Sequence, residues 1–277
     1  MAMVPDDLRP LASAAELATW RPGRPIRVLE TVDSTNCEAR RLAERGAAEG
    51  TVVIADAQTG GRGRMGRSWV SPPGVNLYLS LVLRPKLTPR HAPQLTLLAS
   101  LAVAEALESC FGLDAAVKWP NDVLLGGKKV AGLLGEIAAT MAGIEYIVMG
   151  IGLNLNMSAA QFPERPLYAA TSVAIEKGEP VPRLPVAIRL LELLDDYYRL
   201  FLKEGFAPIR SRWERRCPML GGFVELDGGS GAVSGEALGI DADGALLLRL
   251  GDGRVERVLS GDIVAFQAPG DPSPRPR

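Results

Sequence analysis

With 277 residues, 47% of them hydrophobic, the chain suits one large domain or one large and one small domain, and global disorder does not fit. The 31 lysines and arginines against 32 aspartates and glutamates leave a net charge of −1, which offers no bulk attraction to nucleic acid or an anionic membrane. Three scattered cysteines without a C-x-x-C pair and a single histidine argue against a disulfide framework, a zinc site and a Ser-His-Asp triad, so chemistry falls to Arg, Lys, Asp, Asn and backbone amides.

Residues 1–25 carry four prolines and little periodicity, and read as a partly ordered lead-in. "IRVLETV" (26–32) predicts a strand. A helix follows, with Thr35 and Glu38 at capping-box spacing and Ala39, Leu42 and Ala43 on one face, stopped by Gly46 or Gly50. Strands are expected over 51–58 and 76–85, with a glycine-arginine stretch between them. The clearest helix covers 92–112, and His91 at its start reads as a solvated or capping histidine. A hairpin turns at Gly126-Gly127 between 123–125 and 128–137, and another strand spans 145–156. Residues 157–182 look irregular, and helices are expected near 184–203 and 206–216. Short β runs between glycine-rich turns over 222–267 predict a small all-β barrel, before a proline-rich tail expected to be disordered. The domain reading is a lead-in over 1–25, a catalytic domain over 26–218, a barrel over 219–268 and a tail over 269–277. No apolar run uninterrupted by polar residues is long enough to span a bilayer, and the early acids Asp6 and Asp7 do not suit a secretion signal, so a cytoplasmic protein is expected.

"QTGGRGRMGRSW" (58–69) contains Gly61-Arg62-Gly63-Arg64-Met65-Gly66, which spells G-x-G-x-x-G. A dinucleotide fingerprint requires a helix after its last glycine, but Pro72-Pro73-Gly74 and a strand follow. No acidic residue lies between Asp56 and Glu105 to hold a ribose, no G-K-[ST] completes a P-loop, and no repeat makes an RNA-binding Arg-Gly patch. What remains is an anion clamp: glycines let main-chain amides approach a ligand, and Arg62, Arg64 and Arg67 offer planar charged donors to carboxylate or phosphate oxygens. "KWPNDVLLGGKKVAG" adds Lys118, Asn121 and Asp122, with Lys128 or Lys129 on the return strand. Gly132 and Gly135 leave room there for a ligand, and Trp119 reads as core. In "GIGLNLN", Gly150 and Gly152 share a strand face and suit a flat pocket floor, with Asn154 on that face as an amide donor and acceptor.

Taken in order, "TVDSTN", "QTGGRGRMGRSW", "NLYLS", "KWPNDVLLGGKKVAG" and "GIGLNLN" resemble the biotin protein ligase family over roughly residues 26–267. The resemblance implies an α+β fold, a mixed β-sheet with helices packed on it as in class II synthetases, plus a C-terminal SH3-like β-barrel. It implies the ligase-only type, without the N-terminal winged helix that some members use as repressors. The implied activity joins biotin and ATP into biotinyl-5′-AMP and pyrophosphate, with Mg²⁺, and then passes biotin to a lysine of a carboxylase carrier domain. Ser34, Thr35, Asn36, Gln58, Gly61, Arg62, Gly63, Arg64, Gly132, Gly150 and Gly152 would surround biotin. Lys129 would lie between the biotin carboxylate and the α-phosphate, its register relative to Lys128 taken from its spacing to Lys118. Arg64, Arg67, Lys118 and Asn121 would face the phosphates, Trp69 would pack on adenine, Asn154 would bond it, and Asp122 is the candidate metal contact. Lys129, Arg64 and Arg62 would act in catalysis. Ser34, Thr35 and Asn36 also suit a helix cap, Asp122 a turn cap, and Gly132 hairpin packing. Met65 stands where many members carry another arginine, leaving the clamp one charge lighter. A homodimer through an exposed sheet is a further family expectation. A non-catalytic biotin or nucleotide sensor and a lipoate ligase on the same fold are the alternatives, although lipoate ligases should lack the GRGRxGR and KWPND pair.

Overall fold

The computed structural model describes residues 5–13, 25–141, 143–163, 169–227 and 232–270; residues 271–277 of the expected tail lie outside them. Seven strands, β1 (Ile26–Val32), β2 (Val52–Gln58), β3 (Leu77–Leu83), β4 (Ala115–Lys118), β5 (Asp122–Leu125), β6 (Lys128–Thr140) and β7 (Gly143–Leu153), form one sheet in the order β1-β2-β3-β7-β6-β5-β4. Only β1 and β2 pair in parallel, because a crossover helix joins them; the other neighbours are antiparallel. That helix, α2 (Thr35–Glu44), begins without a capping box. The Thr35 N–H instead donates to Gln58 Oε1 at 2.8 Å, so the acceptor comes from the end of β2.

Central β3 is buried along its whole length because both faces are covered. Leu77, Leu79, Leu81 and Leu83 join the main core beneath α3 (Ala92–Phe111), α5 (Arg183–Glu204) and α6 (Ala207–Arg215). On the other face Val82 packs with Val53, Val148 and Ala39 of α2 in a smaller cluster. The segment Pro89–Phe111 has the length and apolarity of a membrane span, but α3 lies packed in the core and ends at Gly112, whose φ of 67° stops the helix. Two short helices escaped sequence reading: α1 (Arg9–Ser13) inside the lead-in and α4 (Val173–Lys177) inside the stretch expected to be irregular. The lead-in is anchored, with Leu8 and Leu11 in the main core.

Five strands, β8 (Phe223–Asp227), β9 (Ala232–Ile240), β10 (Leu246–Arg249), β11 (Val255–Val258) and β12 (Asp262–Gln267), make the small antiparallel C-terminal sheet, in the order β11-β10-β9-β8-β12. Its Leu226, Ile240, Leu246 and Ile263 belong to the same core cluster as α3, so the two sheets share one hydrophobic interior. Polar contacts fix the seam: Gln94 Nε2 donates to Ala242 O at 2.7 Å and Trp119 Nε1 to Gly244 O at 3.1 Å. His91 neither caps α3 through its side chain nor sits fully in solvent; its Nε2 lies 3.1 Å from Asp243 Oδ1 across the seam.

Arg183 ties the lead-in to the sheet. Its buried guanidinium meets Asp7 and Asp56 at 2.6 Å each and donates to Asn76 O. Asp7 is half exposed, so the cost of losing this arginine falls on Asp56, which is largely buried. Arg183→Leu is expected to destabilise the protein by about 3 kcal/mol by leaving that carboxylate without its cation. The measurement is the denaturant midpoint at constant m-value, and an unchanged midpoint contradicts it.

Candidate active site

The glycine-arginine stretch leaves β2 and folds back as a miniature hairpin. Gly63 N donates to Arg67 O at 2.7 Å, Trp69 N donates to Gly61 O at 2.9 Å, and Arg62 bridges Ser68. At its tip Met65 takes φ 53°, a left-handed conformation uncommon for a side-chain-bearing residue, and lies in solvent. Gly61 closes the hairpin: a Cβ there would stand 2.4 Å from Trp69 O and 2.7 Å from Ser71 Oγ. Gln58 ties the start of the motif to α2 and to the chain just past its end, accepting from the Thr35 N–H and donating through Nε2 to Ser71 Oγ at 2.8 Å.

Beneath the hairpin lies a cavity of about 210 Å³, on the α2 side of the sheet. Its floor depends on three glycines. Gly132 and Gly152 are directly paired between β6 and β7, and Trp69 lies flat across both; Cβ atoms there would reach its ring at 2.9 and 2.5 Å. Gly150 faces Asn36, and a Cβ would stand 2.0 Å from Asn36 Oδ1. Ser80, paired with Gly150, places its hydroxyl 2.6 Å from that oxygen and 2.8 Å from Thr35 Oγ1. Ser34, Thr35 and Asn36 therefore open the helix and line the cavity together.

Lys129 reaches this cavity through a β-bulge. The register of β6 against β5 shifts between Leu124 and Val123, so Val130 is the extra residue. The shift puts Lys129 on the face of Gly132, whose Cβ would stand 3.2 Å from Lys129 Nζ. Nζ lies 2.6 Å from Asp122 Oδ1 and 5.5 Å from the centre of the Trp69 ring. Lys128 turns away to Glu176, so of the two lysines it is Lys129 that lines the cavity.

Every cation in the cavity meets a carboxylate. Arg62 contacts Glu136 at 3.1 Å, and Glu136 also accepts from Asn36 Nδ2 at 2.7 Å. Arg64 and Arg67 both contact Asp262, the first residue of β12, while Arg64 Nη1 also donates to Asn121 Oδ1 at 3.1 Å. Two buried polar atoms have no hydrogen-bond partner among the described residues, Trp69 Nε1 and Asp122 Oδ1, although Asp122 keeps its charge contact to Lys129. Both residues line this cavity. Lys129 Nζ, 2.6 Å from Asp122 Oδ1, compensates that oxygen, which leaves the Trp69 N–H as the orphaned group; an unpaired buried donor costs about 1–3 kcal/mol, and a ligand in the cavity offers the missing acceptor.

Most of the expected site residues converge here. Gly61 and Lys118 do not line the cavity: Gly61 shapes the hairpin, and Lys118 is buried at the end of β4 in register with Asp122. Asn154 lines the cavity, but its amide is engaged, donating to Thr171 O at 3.1 Å and accepting from Asn76 Nδ2 at 3.4 Å. Ser80, Glu136 and Asp262, which hold the lining side chains, escaped sequence reading. Ser80 and Glu136 lie on expected strands, but only the register shows that they meet Thr35, Asn36 and Arg62 of the lining. For Asp262 nothing local signals a contact across 198 residues of chain.

The model of the biotin/lipoate A/B protein ligase family matches residues 28–154, and that of the biotin protein ligase C-terminal domain matches residues 223–265. The biotin–[acetyl-CoA-carboxylase] ligase of Paracoccus denitrificans is 39% identical over 237 residues, covering 82% of this chain and 95% of that one. The bifunctional ligase/repressor BirA of Bacillus subtilis is 39% identical over 234 residues, covering 84% and 72%. Among solved structures, the biotin protein ligase from Aquifex aeolicus in complex with biotin and ATP superposes with a TM-score of 0.75 at 32% identity, covering 90% of this chain and 100% of that one.

Burial lowers the Lys118 ammonium from its ordinary 10.5 to about 8, with Asp122 opposing the shift and Lys129 adding to it. Below the folded value the lysine is charged in both states and its burial cost is fully present. Between about 8 and 10.5 the folded lysine loses its proton while the unfolded one keeps it, so stability gains with rising pH. The stability of the wild type relative to Lys118→Met is therefore expected to rise from about pH 7.5 to about pH 10. Denaturant midpoints of both proteins across that range check this, and a flat difference contradicts it.

Proposed function

The chain belongs to the biotin/lipoate A/B protein ligase family, and from that premise and the cavity's chemistry we propose the following reading. The protein is an ATP-dependent biotin–protein ligase. The biotin carboxylate attacks the α-phosphorus of ATP, forming a carboxylate–phosphate bond as pyrophosphate leaves. The amine of an acceptor lysine then attacks the acyl carbon of biotinyl-5′-AMP, forming an amide as AMP leaves and the amine proton is lost. The observation that carries the reading is the convergence of Lys129, Arg62, Arg64 and Arg67 on one glycine-floored cavity containing an orphaned Trp69 N–H.

An anionic nucleophile meeting a polyanion is opposed by charge repulsion, and fixed cations offset it in a site shielded from water. Neither step needs a histidine. In this reading biotin sits against Asn36, Ser34 and Thr35 over Gly150, with its carboxylate toward Lys129, and Arg62 closes over it. Arg64 and Arg67 hold the phosphates and Asn121 holds Arg64. Trp69 packs on the adenine, and Asn154 fixes the pocket wall through its engaged amide. Lys118 acts from behind the wall through its charge. Mg²⁺ enters with the nucleotide as part of the substrate. The described residues hold no cluster of three or more His, Cys, Asp or Glu side chains suited to a resident metal. An Asp122 oxygen is the carboxylate available to the ion, which fits the one or two protein carboxylates that Mg²⁺ ordinarily takes. The reading carries with it a carboxylase biotin carrier domain as acceptor, a cytoplasmic setting and a homodimer.

The deciding experiment supplies biotin, Mg-ATP and a carrier domain, with lipoate in place of biotin as the comparison. Biotin-dependent pyrophosphate release and carrier labelling are expected; release with lipoate alone would turn the assignment to a lipoate ligase, and no release at all would remove it. Lys129→Ala is expected to slow adenylate formation by roughly 10²–10³ while shifting biotin affinity far less, because its charge matters most as the phosphate reacts. Single-turnover rates beside biotin titrations check this, and equal rates in wild type and variant reject the role.

A further inference from the structure

Of the three carboxylates that hold the cavity's cations, two come from the large sheet's own strands, Asp122 on β5 and Glu136 on β6. The third is different. Asp262 opens β12 of the small C-terminal sheet, with its side chain only 14% exposed, and it lines the cavity. One oxygen takes Arg67 Nη2 and the other lies 3.5 Å from Arg64 Nη1, while the neighbouring Gly261 O accepts from Arg64 Nη1 at 3.2 Å. Arg67 Nε donates back to Arg64 O at 3.1 Å, so the two arginines and the carboxylate form one closed unit. This unit directly links the glycine-arginine hairpin to the C-terminal sheet.

Both arginines sit on a hairpin whose tip is exposed, with glycines at 61, 63 and 66, so what fixes their partly buried side chains comes from outside the hairpin: Asn121, Gly261 and Asp262. Ordering an arginine for ligand binding costs rotamer entropy. Asp262 is well placed to meet that cost in advance. It is backed by packed structure: Asp262 and Ile263 pair with Asp227 and Leu226 of β8, the ladder resumes at Ala265 after a bulge at Val264, and Ile263 is buried in the shared core. A carboxylate on a rigid strand that engages two guanidiniums sets where both point.

We propose that Asp262 is a positioning residue for the nucleotide. Resting on the ligase reading, it acts through Arg64 and Arg67, holding their guanidiniums toward the cavity so that they meet the phosphates already oriented. The C-terminal sheet thereby contributes to the adenylation step without touching the reacting atoms. In that reading biotin lies on the other side of the cavity, against α2 and Gly150, and among the described residues the Asp262 carboxylate pairs with Arg64 and Arg67 and not with α2.

The test compares steady-state adenylate formation by the full-length wild type, Asp262→Ala, Asp262→Glu and Asp262→Asn, with biotin binding measured separately without nucleotide. Asp262→Ala is expected to raise the KM for ATP about tenfold, with the biotin Kd within about twofold of wild type. Asp262→Glu restores part of the loss, because it returns the charge. In an Arg67→Ala background Asp262→Ala adds much less than it does alone, since the residue acts through that arginine. Asp262→Asn, nearly isosteric, guards against a folding artefact: its ATP KM also rises while its unfolding midpoint stays near wild type. An ATP KM that is unchanged or lowered in Asp262→Ala and Asp262→Asn overturns the proposal, as does an equal rise in the biotin Kd. If wild type makes no adenylate, the ligase reading falls and this proposal with it. If wild type is active and the variants match it, this proposal falls alone.

Discussion

Like charges brought together in a confined space set the terms for this molecule. Four cationic side chains converge on one cavity, Arg62, Arg64, Arg67 and Lys129, with Lys118 buried close behind. At an effective dielectric constant near 20, two unit charges 5 Å apart interact by about 3 kcal/mol, so such a cluster would push itself apart without compensation. The fold supplies the compensation from three separate elements: Glu136 on β6, Asp122 on β5 and Asp262 on β12. Each carboxylate is less exposed than the cations it meets, so each works as a fixed backing. An incoming polyanion then meets cations already held in place, which is the condition for electrostatic stabilisation without reorganisation during the reaction.

Backing the charges is useless unless they can reach a bound substrate, and that depends on missing side chains. Gly132 and Gly152 lie side by side across β6 and β7, which gives the indole of Trp69 a flat bed. Gly150 does the same for the carboxamide of Asn36. The bulge at Val130 turns Lys129 onto this same face, so one local irregularity aligns the lysine with the glycine floor. These features sit on the central strands of a seven-stranded sheet covered on both faces, which holds the floor still beneath the hairpin.

Much of this could be read in the sequence, for reasons that are physical. Strands β1, β2 and β3 and helix α3 were legible because apolar periodicity and Gly112 mark them directly. The Arg-Gly stretch read as an anion clamp because glycine and arginine have few other reasons to alternate, the proline pair after Gly66 removed the dinucleotide reading, and the structure brings its three arginines to one cavity. Other features depended on distance. The cap of α2 could not be read from Thr35 and Glu38, because its acceptor is Gln58, 23 residues away. Asn154 was read as a group open to a ligand, yet its amide is engaged by Thr171 and Asn76, neither of which shows that role locally. His91 looked like a cap from its neighbours, and it is the partner sheet's Asp243 that decides its place. Sequence reading recovered what local composition dictates and missed what a second element supplies.

The seam between the two sheets follows the same logic and gives the small sheet a reason to be there. Its Leu226, Ile240 and Ile263 lie in the same core as α3, so its position is fixed by apolar burial and by the Trp119 and Gln94 hydrogen bonds. A carboxylate on a separate, flexibly tethered module would be a poor backing for two arginines, because the module's motion would pass to them. Fusion of the cores turns Asp262 into a rigid reference point for a hairpin that lacks one of its own. The buried seam therefore has an electrostatic consequence: the hydrophobic effect holds the small sheet in register, and that register determines where the positive charge of Arg64 and Arg67 is presented.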